Sequence, residues 1–323
     1  MRAAVHTSYG PPEVVRVEEV DRPTAGDGQV LIRVHATTVN RTDCGARAAR
    51  PFIYRLALGL RRPRLTVLGS EFAGVVEAVG DGVTAFQAGD RVFGFSGTTF
   101  GAHAEYLVMP EHDRLATMPA GLSFEAAAPG TEGAIYALSM LRRARLRAGQ
   151  DVLVNGATGA IGSAAVQLLR QLGARVTATC ETANLELVRG LGADRVIDYT
   201  AEDFTRDDHA YDAVLDAVGK SSFRRCRRLL KPRGTYVSSD LGRLSQNPFL
   251  ALVTPLLGRR RVVFPIPVPD PGIVREVKDL IESGAFTPLV DRRYPLDQIV
   301  EAYRYVETGR KLGGVVVTVA GPD

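Results

Sequence analysis

Apolar and polar positions follow two different rhythms along this chain. Over residues 1–121 apolar side chains come in short, often alternating runs at 1–7, 14–20, 30–39, 71–79, 90–95 and 103–109. Turn residues punctuate them: Gly10-Pro11-Pro12, Asp27-Gly28, Asp81-Gly82 and Gly89-Asp90. Such dipeptides link antiparallel strands, because glycine accepts a positive φ and proline cannot extend a ladder. The first 121 residues are therefore expected to be mostly β. From residue 151 the rhythm changes. Residues 152–154 form a short β-branched run with the length of a buried parallel strand, and Ile161, Ala165, Leu168, Leu169 and Leu172 then recur at helical spacing. Further strands are predicted at 175–180, 195–199, 213–218 and 235–239, with a helix at 184–191. Strands that alternate with helices predict a doubly wound parallel sheet with its ligand at the carboxyl ends of the strands.

Between and after these regions the pattern is less regular. Residues 124–145 read as a helix interrupted at Pro129-Gly130, and 249–257 as an irregular apolar segment broken by Pro255. Residues 261–264 form a strand followed by Pro265, Pro267 and Pro269, so it is expected to lie at a sheet edge or to run out into a loop, since proline donates no ladder hydrogen bond. Leu296, Ile299, Val300, Tyr303 and Val306 share one helix face, and 315–319 is a final strand expected to rejoin the first domain. The expected domains are 1–121 completed by 287–323, and 122–286.

The junction at 151–162, DVLVNGATGAIG, carries the first functional signal. A strand that turns tightly into a helix aims unpaired N–H groups and the positive end of the helix dipole at one point, where a diphosphate can sit without a cation. Gly156, Gly159 and Gly162 allow the turn, the close approach of phosphate, and the packing of helix on strand. Glycine turns of this kind also occur without a ligand; the four downstream strands favour the dinucleotide reading.

Composition narrows the alternatives. With 323 residues and 45% hydrophobic content the chain has material for two cores, and no apolar stretch approaches a membrane span. The start, MRAAVHT, lacks the apolar core of a signal peptide, so a soluble cytoplasmic protein is expected. Cys44, Cys180 and Cys226 are scattered without metal-ligand spacing and suit a reducing compartment. The net charge of +4 invites a nucleic-acid reading. In the densest basic run, however, Phe223, Cys226, Leu229 and Leu230 lie at helical spacing and leave the arginines on a solvated face. Nucleic-acid binding is disfavoured.

Ordered motifs along nearly the whole chain resemble the zinc-free quinone oxidoreductase-like branch of the medium-chain dehydrogenase/reductase superfamily. They are YGPPEVV at 9–15, VNRTD at 39–43, LGSEFAGVVEAVG at 68–80, GDRVFGF at 89–95, AHAEYLVMP at 102–110, the glycine turn, LGADRVIDYTAEDF at 191–204 and DAVGKSSF at 216–223. The resemblance implies an α/β protein made of a GroES-like, mostly β catalytic domain and a Rossmann domain, a cleft between them, and hydride transfer from NADPH or NADH. It also implies a homodimer that pairs through the 261–264 edge. Zinc enzymes of the superfamily carry cysteine where this chain has Asn40 and histidine where it has Ser70. The catalytic metal site is thus dismantled, and no cysteine lies between Cys44 and Cys180 to form a structural zinc lobe. Reduction of a quinone or α,β-unsaturated carbonyl follows as the expected activity, since it needs only a positioned hydride and modest polarisation of a carbonyl. The alternatives are metal-free alcohol/aldehyde oxidoreduction and a cofactor-sensing or RNA-binding protein with little turnover.

Residue expectations follow from this resemblance. Gly156, Thr158, Gly159, Ala160, Ile161 and Gly162 would hold the pyrophosphate, Ala217 and Val218 would border the nicotinamide ribose, and Tyr199 would lie near the adenine. Either Cys180 or Glu181 meets the adenosine ribose; Glu181 lies nineteen residues after Gly162, and its charge would disfavour a 2′-phosphate. Asn40 and Tyr136 are the expected catalytic groups, with Arg41, Ser70 and Glu132 in the substrate pocket; the alternatives are that Asn40 simply caps local backbone and that Tyr136 is a core helix residue. Glu132, four residues before Tyr136, would orient it or cap the helix, and Asp43 would be the N-cap of the helix after Arg41. His6, His35 and His103 are expected to be structural.

Overall fold

The computed structural model describes residues 1–97, 99–242, 245–265 and 270–319. The chain divides into two compact units, one of Met1–Glu132, Asp270–Ser283 and Pro288–Asp323, the other of Gly133–Pro269 and Gly284–Thr287. The first unit thus reaches past residue 121, and takes in a returning segment before 287.

The first unit opens with an antiparallel ribbon of β1 (Arg2–Val5) and β2 (Arg16–Glu19). The long strand β3 (Gln29–Val39) leads into α1 (Arg41–Ala48) and α2 (Ile53–Leu58), followed by β4 (Glu71–Val79), β5 (Arg91–Phe95), β6 (Tyr106–Pro110) and β7 (Leu115–Thr117). Strand β7, absent from the sequence reading, is three residues long, too short for an alternation to register. Two helices, α3 (Phe124–Ala127) and α4 (Glu132–Ala144), are separated by a 3-10 turn containing Pro129, so the predicted interruption is present.

The second unit is built from β8 (Asp151–Asn155), α5 (Ala160–Leu172), β9 (Arg175–Cys180), α6 (Leu185–Gly190), β10 (Arg195–Asp198), β11 (Tyr211–Asp216), α7 (Phe223–Cys226), β12 (Leu230–Ser238), α8 (Gln246–Leu257) and β13 (Arg261–Val263). Its six strands are all parallel, in the order β10-β9-β8-β11-β12-β13, the doubly wound arrangement with a crossover beside β8. Strand β8 is buried along its length, as expected of a central parallel strand. One expectation is corrected here: residues 246–257 are helical. Pro255 lies in the last turn, where its missing N–H costs a single bond, and the Thr254 hydroxyl accepts from Val262 N at 2.9 Å to tie α8 to β13. Strand β13 does lie at the sheet edge, but Val262 is buried; Pro267 and Pro269 lie outside the described residues. Arg224, Arg225, Arg227 and Arg228 are exposed around a buried Cys226 and Leu229.

The chain then returns through α9 (Ile273–Glu282), β14 (Val290–Pro295), α10 (Ile299–Glu307) and β15 (Gly314–Thr318). Strand β15 joins the first unit's sheet antiparallel to β3, with Val315 opposite Val39 and Thr318 opposite Ala36. The full sheet runs β14-β15-β3-β4-β5-β7, with β6 also paired to β3. Strand β14, DRRY between Val290 and Pro295, is too polar to announce itself; its pairing with β15 rather than its own pattern makes it a strand. The core beneath includes Val34, Phe72, Ile299, Tyr303 and Val317.

Candidate active site

The turn after β3 is held by a capping box. Asn40, in extended conformation, accepts from Asp43 N at 2.9 Å, and its own N–H donates to the Asp43 carboxylate at 3.0 Å. Asn40, not Asp43, is therefore the N-cap of α1, with Asp43 at the third helical position. The other Asp43 oxygen accepts from Gly69 N at 3.1 Å, which binds this turn to the one leading into β4. Gly69 has φ +91°, and a Cβ there would lie 2.4 Å from the His103 ring, so only glycine fits. Across the two turns the Asn40 amide donates to the Ser70 hydroxyl at 2.8 Å. Both side chains are buried, whereas Arg41 is exposed.

Behind this pair lies an acid cluster. Glu71, the first residue of β4, accepts from the Thr38 hydroxyl at 2.6 Å, Glu132 N at 2.6 Å, Thr131 N at 3.2 Å and the Thr131 hydroxyl at 3.1 Å. A buried carboxylate thereby caps the first turn of α4 from another strand. The Glu132 carboxylate accepts from the half-buried Thr42 hydroxyl at 2.6 Å. Burial, with the negative charge of Glu71, pushes Glu132 up to about 7. Glu71 is raised by burial too, against the pull of its hydrogen bonds. Asp43 is driven well above the carboxylate range by burial and by Glu132. Lys311 donates to Gly313 O, and burial lowers its amine against the attraction of Glu132, Glu71 and Asp291. Tyr54 of α2 is raised to about 12 by burial and then by Glu132. Thr42, Glu71 and Lys311 are site residues that sequence reasoning missed. A glutamate heading an apolar strand, in LGSEFAGVV, was the legible signal.

His103 is fully enclosed, its Nε2 2.8 Å from Thr38 O, and burial lowers it to about 4. His6 meets Thr66 O at 2.9 Å and is likewise lowered by burial. Both hold backbone.

In the second unit the glycine turn has the geometry a pyrophosphate requires. Gly156 has φ +85°; a Cβ on Gly162 would lie 2.1 Å from Gly156 O; a Cβ on Gly159 would meet nothing closer than 3.8 Å, leaving open space beside the start of α5. Gly159 is the N-cap and supplies no side-chain cap, so the first N–H groups of α5 remain for an anion. Thr158, Ala160 and Ile161 are half-buried around it. A polar ladder ties the carboxyl ends of the strands together: Gly156 N donates to Thr179 Oγ1 (3.1 Å), which donates to Asn155 (2.9 Å), whose amide donates to Asp216 (3.0 Å). Asp216 also accepts from Gly219 N at 3.0 Å and fixes the 217–219 turn, where Ala217 is half-buried and Val218 exposed. Of the two ribose candidates, Cys180 is buried and its thiol is raised to about 11, while Glu181 is exposed and accepts from the Tyr199 hydroxyl at 2.7 Å. Tyr136, half-buried on α4, falls in this second unit.

Residues 26–120 match the family described as alcohol dehydrogenase GroES-like domain, and residues 191–317 that described as zinc-binding dehydrogenase. The chain is 32% identical over 329 residues to a 2-methylene-furan-3-one reductase of Solanum lycopersicum, across 98% of this chain and 79% of the relative. The same figures hold for a chloroplastic NADPH-dependent alkenal/one oxidoreductase of Arabidopsis thaliana. The solved structure of a quinone oxidoreductase from Coxiella burnetii matches with a TM-score of 0.88 at 27% identity over 99% of both chains. This chain belongs to the medium-chain dehydrogenase/reductase superfamily, in its quinone oxidoreductase-like branch. It is an oxidoreductase that uses a nicotinamide cofactor, and the glycine turn fits that group's pyrophosphate. The zinc of the family description does not fit: Asn40 and Ser70 offer an amide and a hydroxyl already bonded to each other, in place of thiolate and imidazole.

Proposed function

We propose that this oxidoreductase reduces a quinone or an α,β-unsaturated carbonyl with NADPH or NADH, without a catalytic metal. The observation that carries the reading is the Asn40–Ser70 hydrogen bond where a metal-dependent relative would hold zinc. Lacking a Lewis acid, the site is poorly suited to stabilising an alkoxide. An enone or quinone needs less, because its developing oxyanion is delocalised. The names of the two plant relatives, a 2-methylene-furan-3-one reductase and an alkenal/one oxidoreductase, support the same substrate class.

In this reading the bound cofactor supplies hydride, and the chain orients and polarises the acceptor. Asn40 keeps one amide N–H beyond the bond to Ser70, and that donor polarises the carbonyl; the Tyr136 hydroxyl is the second polarising group. Glu181 borders the adenosine ribose, with Tyr199 holding its carboxylate. The reading includes a soluble, cytoplasmic homodimer that pairs through β13. Support comes from three buried free cysteines and from the absence, among the described residues, of any helix long and apolar enough to cross a membrane. Because Val262 is buried, a charge at the half-buried Val263 is the cleaner test, and should move the sedimenting species from dimer to monomer.

The deciding experiment is turnover of a panel of quinones, enones, aldehydes and alcohols with each cofactor, with and without a chelator. Quinone or enone reduction that survives chelation is expected. Activity confined to alcohols, or lost with the metal, would overturn the reading.

A further inference from the structure

We infer that Glu132 is the proton source for the reduced substrate and that the Thr42 hydroxyl passes the proton on. The inference rests on the enone or quinone reading and supplies the proton path that reading leaves open.

Two carboxyl groups buried together cannot both carry charge cheaply, so Glu71 and Glu132 share one proton over a wide pH range. The hydrogen bonds decide which residue holds it. Glu71 faces four donor contacts, from Thr38, Thr131 twice and the Glu132 backbone, and each favours its ionised form. Glu132 is met by the Thr42 hydroxyl. The charge therefore stays on Glu71 and the proton on Glu132. Burial and the negative charge of Glu71 hold the proton on Glu132, against the single hydrogen bond donated by Thr42 and the pull of Lys311, which favour its ionised form. The other titratable groups that interact with it are Glu71 of β4, Asp43 of α1 and Tyr54 of α2, and the cation among them is Lys311, before β15, which is also drawn by Asp291 of β14.

Position makes that proton usable. Glu132 is buried while Thr42 is half-buried, two residues from Asn40 in the same capped turn, so the hydroxyl is the accessible end of the pair. A hydroxyl donates and accepts at once. As the substrate gains hydride and its electron pair, negative charge collects on the carbonyl oxygen. The Thr42 O–H bond breaks as the substrate O–H bond forms, and the Glu132 O–H bond breaks as the Thr42 hydroxyl is restored. Glu132 is left as carboxylate and regains its proton from water. The electrons come from the reduced nicotinamide alone, and the proton count closes.

Glu132→Gln keeps the shape of the side chain and removes the titrating proton, Thr42→Val removes the relay oxygen, and Thr42→Ser restores it. For enone reduction the wild-type kcat should fall as pH rises through about 7, the value to which burial and Glu71 push Glu132. In E132Q the limb should vanish and the plateau drop by roughly ten- to a hundredfold. T42V should drop comparably, and T42S should recover most of the rate. Independently of turnover, infrared difference spectra of the unliganded protein should show a protonated-carboxyl band that titrates near pH 7 and is absent from E132Q. An unchanged limb in E132Q, or a T42V enzyme with wild-type rate, would overturn the relay while leaving enone reduction intact. No turnover of any enone or quinone by the wild type would overturn the functional reading itself, and the relay with it.

Discussion

The glycine turn of the parallel-sheet unit and the acid cluster of the β-rich unit handle charge in opposite ways. At the turn Gly156, Gly159 and Gly162 allow a tight bend that leaves the first N–H groups of α5 without a side-chain cap, a sequence-local geometry that fits an anion. The acid cluster gathers Asp43, Glu71, Glu132 and Lys311 from distant parts of the chain, and burial works against the charged form of each. A site made of backbone tolerates few substitutions but many pH values. A site made of buried acids does the reverse.

The contrast breaks most sharply at Gly162. Its Cβ would lie 2.1 Å from Gly156 O and 2.8 Å from that carbonyl carbon, so Gly162→Val should abolish detectable nicotinamide binding in a fluorescence titration. Far-ultraviolet circular dichroism should meanwhile show a folded chain. Retained affinity would mean that the turn is not where the pyrophosphate rests.

On the β-rich side the next largest effect is expected at Asn40. Asn40→Ser keeps an acceptor for Asp43 N but deletes the amide donors, and turnover should fall by roughly ten- to a thousandfold with cofactor affinity unchanged. Asn40→Ala loses the cap as well, at about 1 kcal/mol of stability. Tyr136→Phe should lower turnover in the same range, more for carbonyls than for quinones. If both serine and phenylalanine variants keep wild-type rates, neither residue acts on substrate.

Stability against pH sharpens the comparison. Glu132 is raised from 4.5 to about 7 on folding, so between those values the native state binds more protons than the unfolded chain. The stability this contributes is present at low pH and is lost as pH climbs through the window. Relative to wild type, Glu132→Gln should gain stability from pH 4.5 to 7 by something on the order of 2 kcal/mol, read from urea unfolding. Gly162→Val should show no such pH-dependent difference. A constant offset for Glu132→Gln would mean its carboxyl is ionised throughout.

The smallest expected effect concerns cofactor choice. With Glu181 exposed and steadied by Tyr199, Glu181→Ser should shift the preference toward NADPH by about tenfold, a single screened charge interaction. Paired titrations of NADH and NADPH into both proteins measure it, and an unchanged ratio places Glu181 away from the ribose.

What the sequence determined by itself was everything governed by short-range pattern. The strand, glycine turn and helix at 151–172 lie where spacing and β-branching placed them, and the final strand does pair with β3. That Asn40 and Ser70 bring an amide and a hydroxyl to these two turns was equally legible, since it depends on residue type alone. The tertiary structure decided the rest. The apolar 249–257 segment became helical because α8 packs on β13 despite Pro255, and polar β14 is a strand only because β15 offers it a ladder. Of the two cap candidates in this turn Asn40 is the N-cap, and Asp43 closes the box from the third helical position while also accepting from Gly69. The gathering of Thr42, Glu71 and Lys311 around Glu132 could not be read from spacing, because a protonation state depends on burial and on neighbours 61 to 179 residues away along the chain. Local conformation is set by adjacent residues, whereas the charge of a buried acid is set by whatever the fold brings beside it.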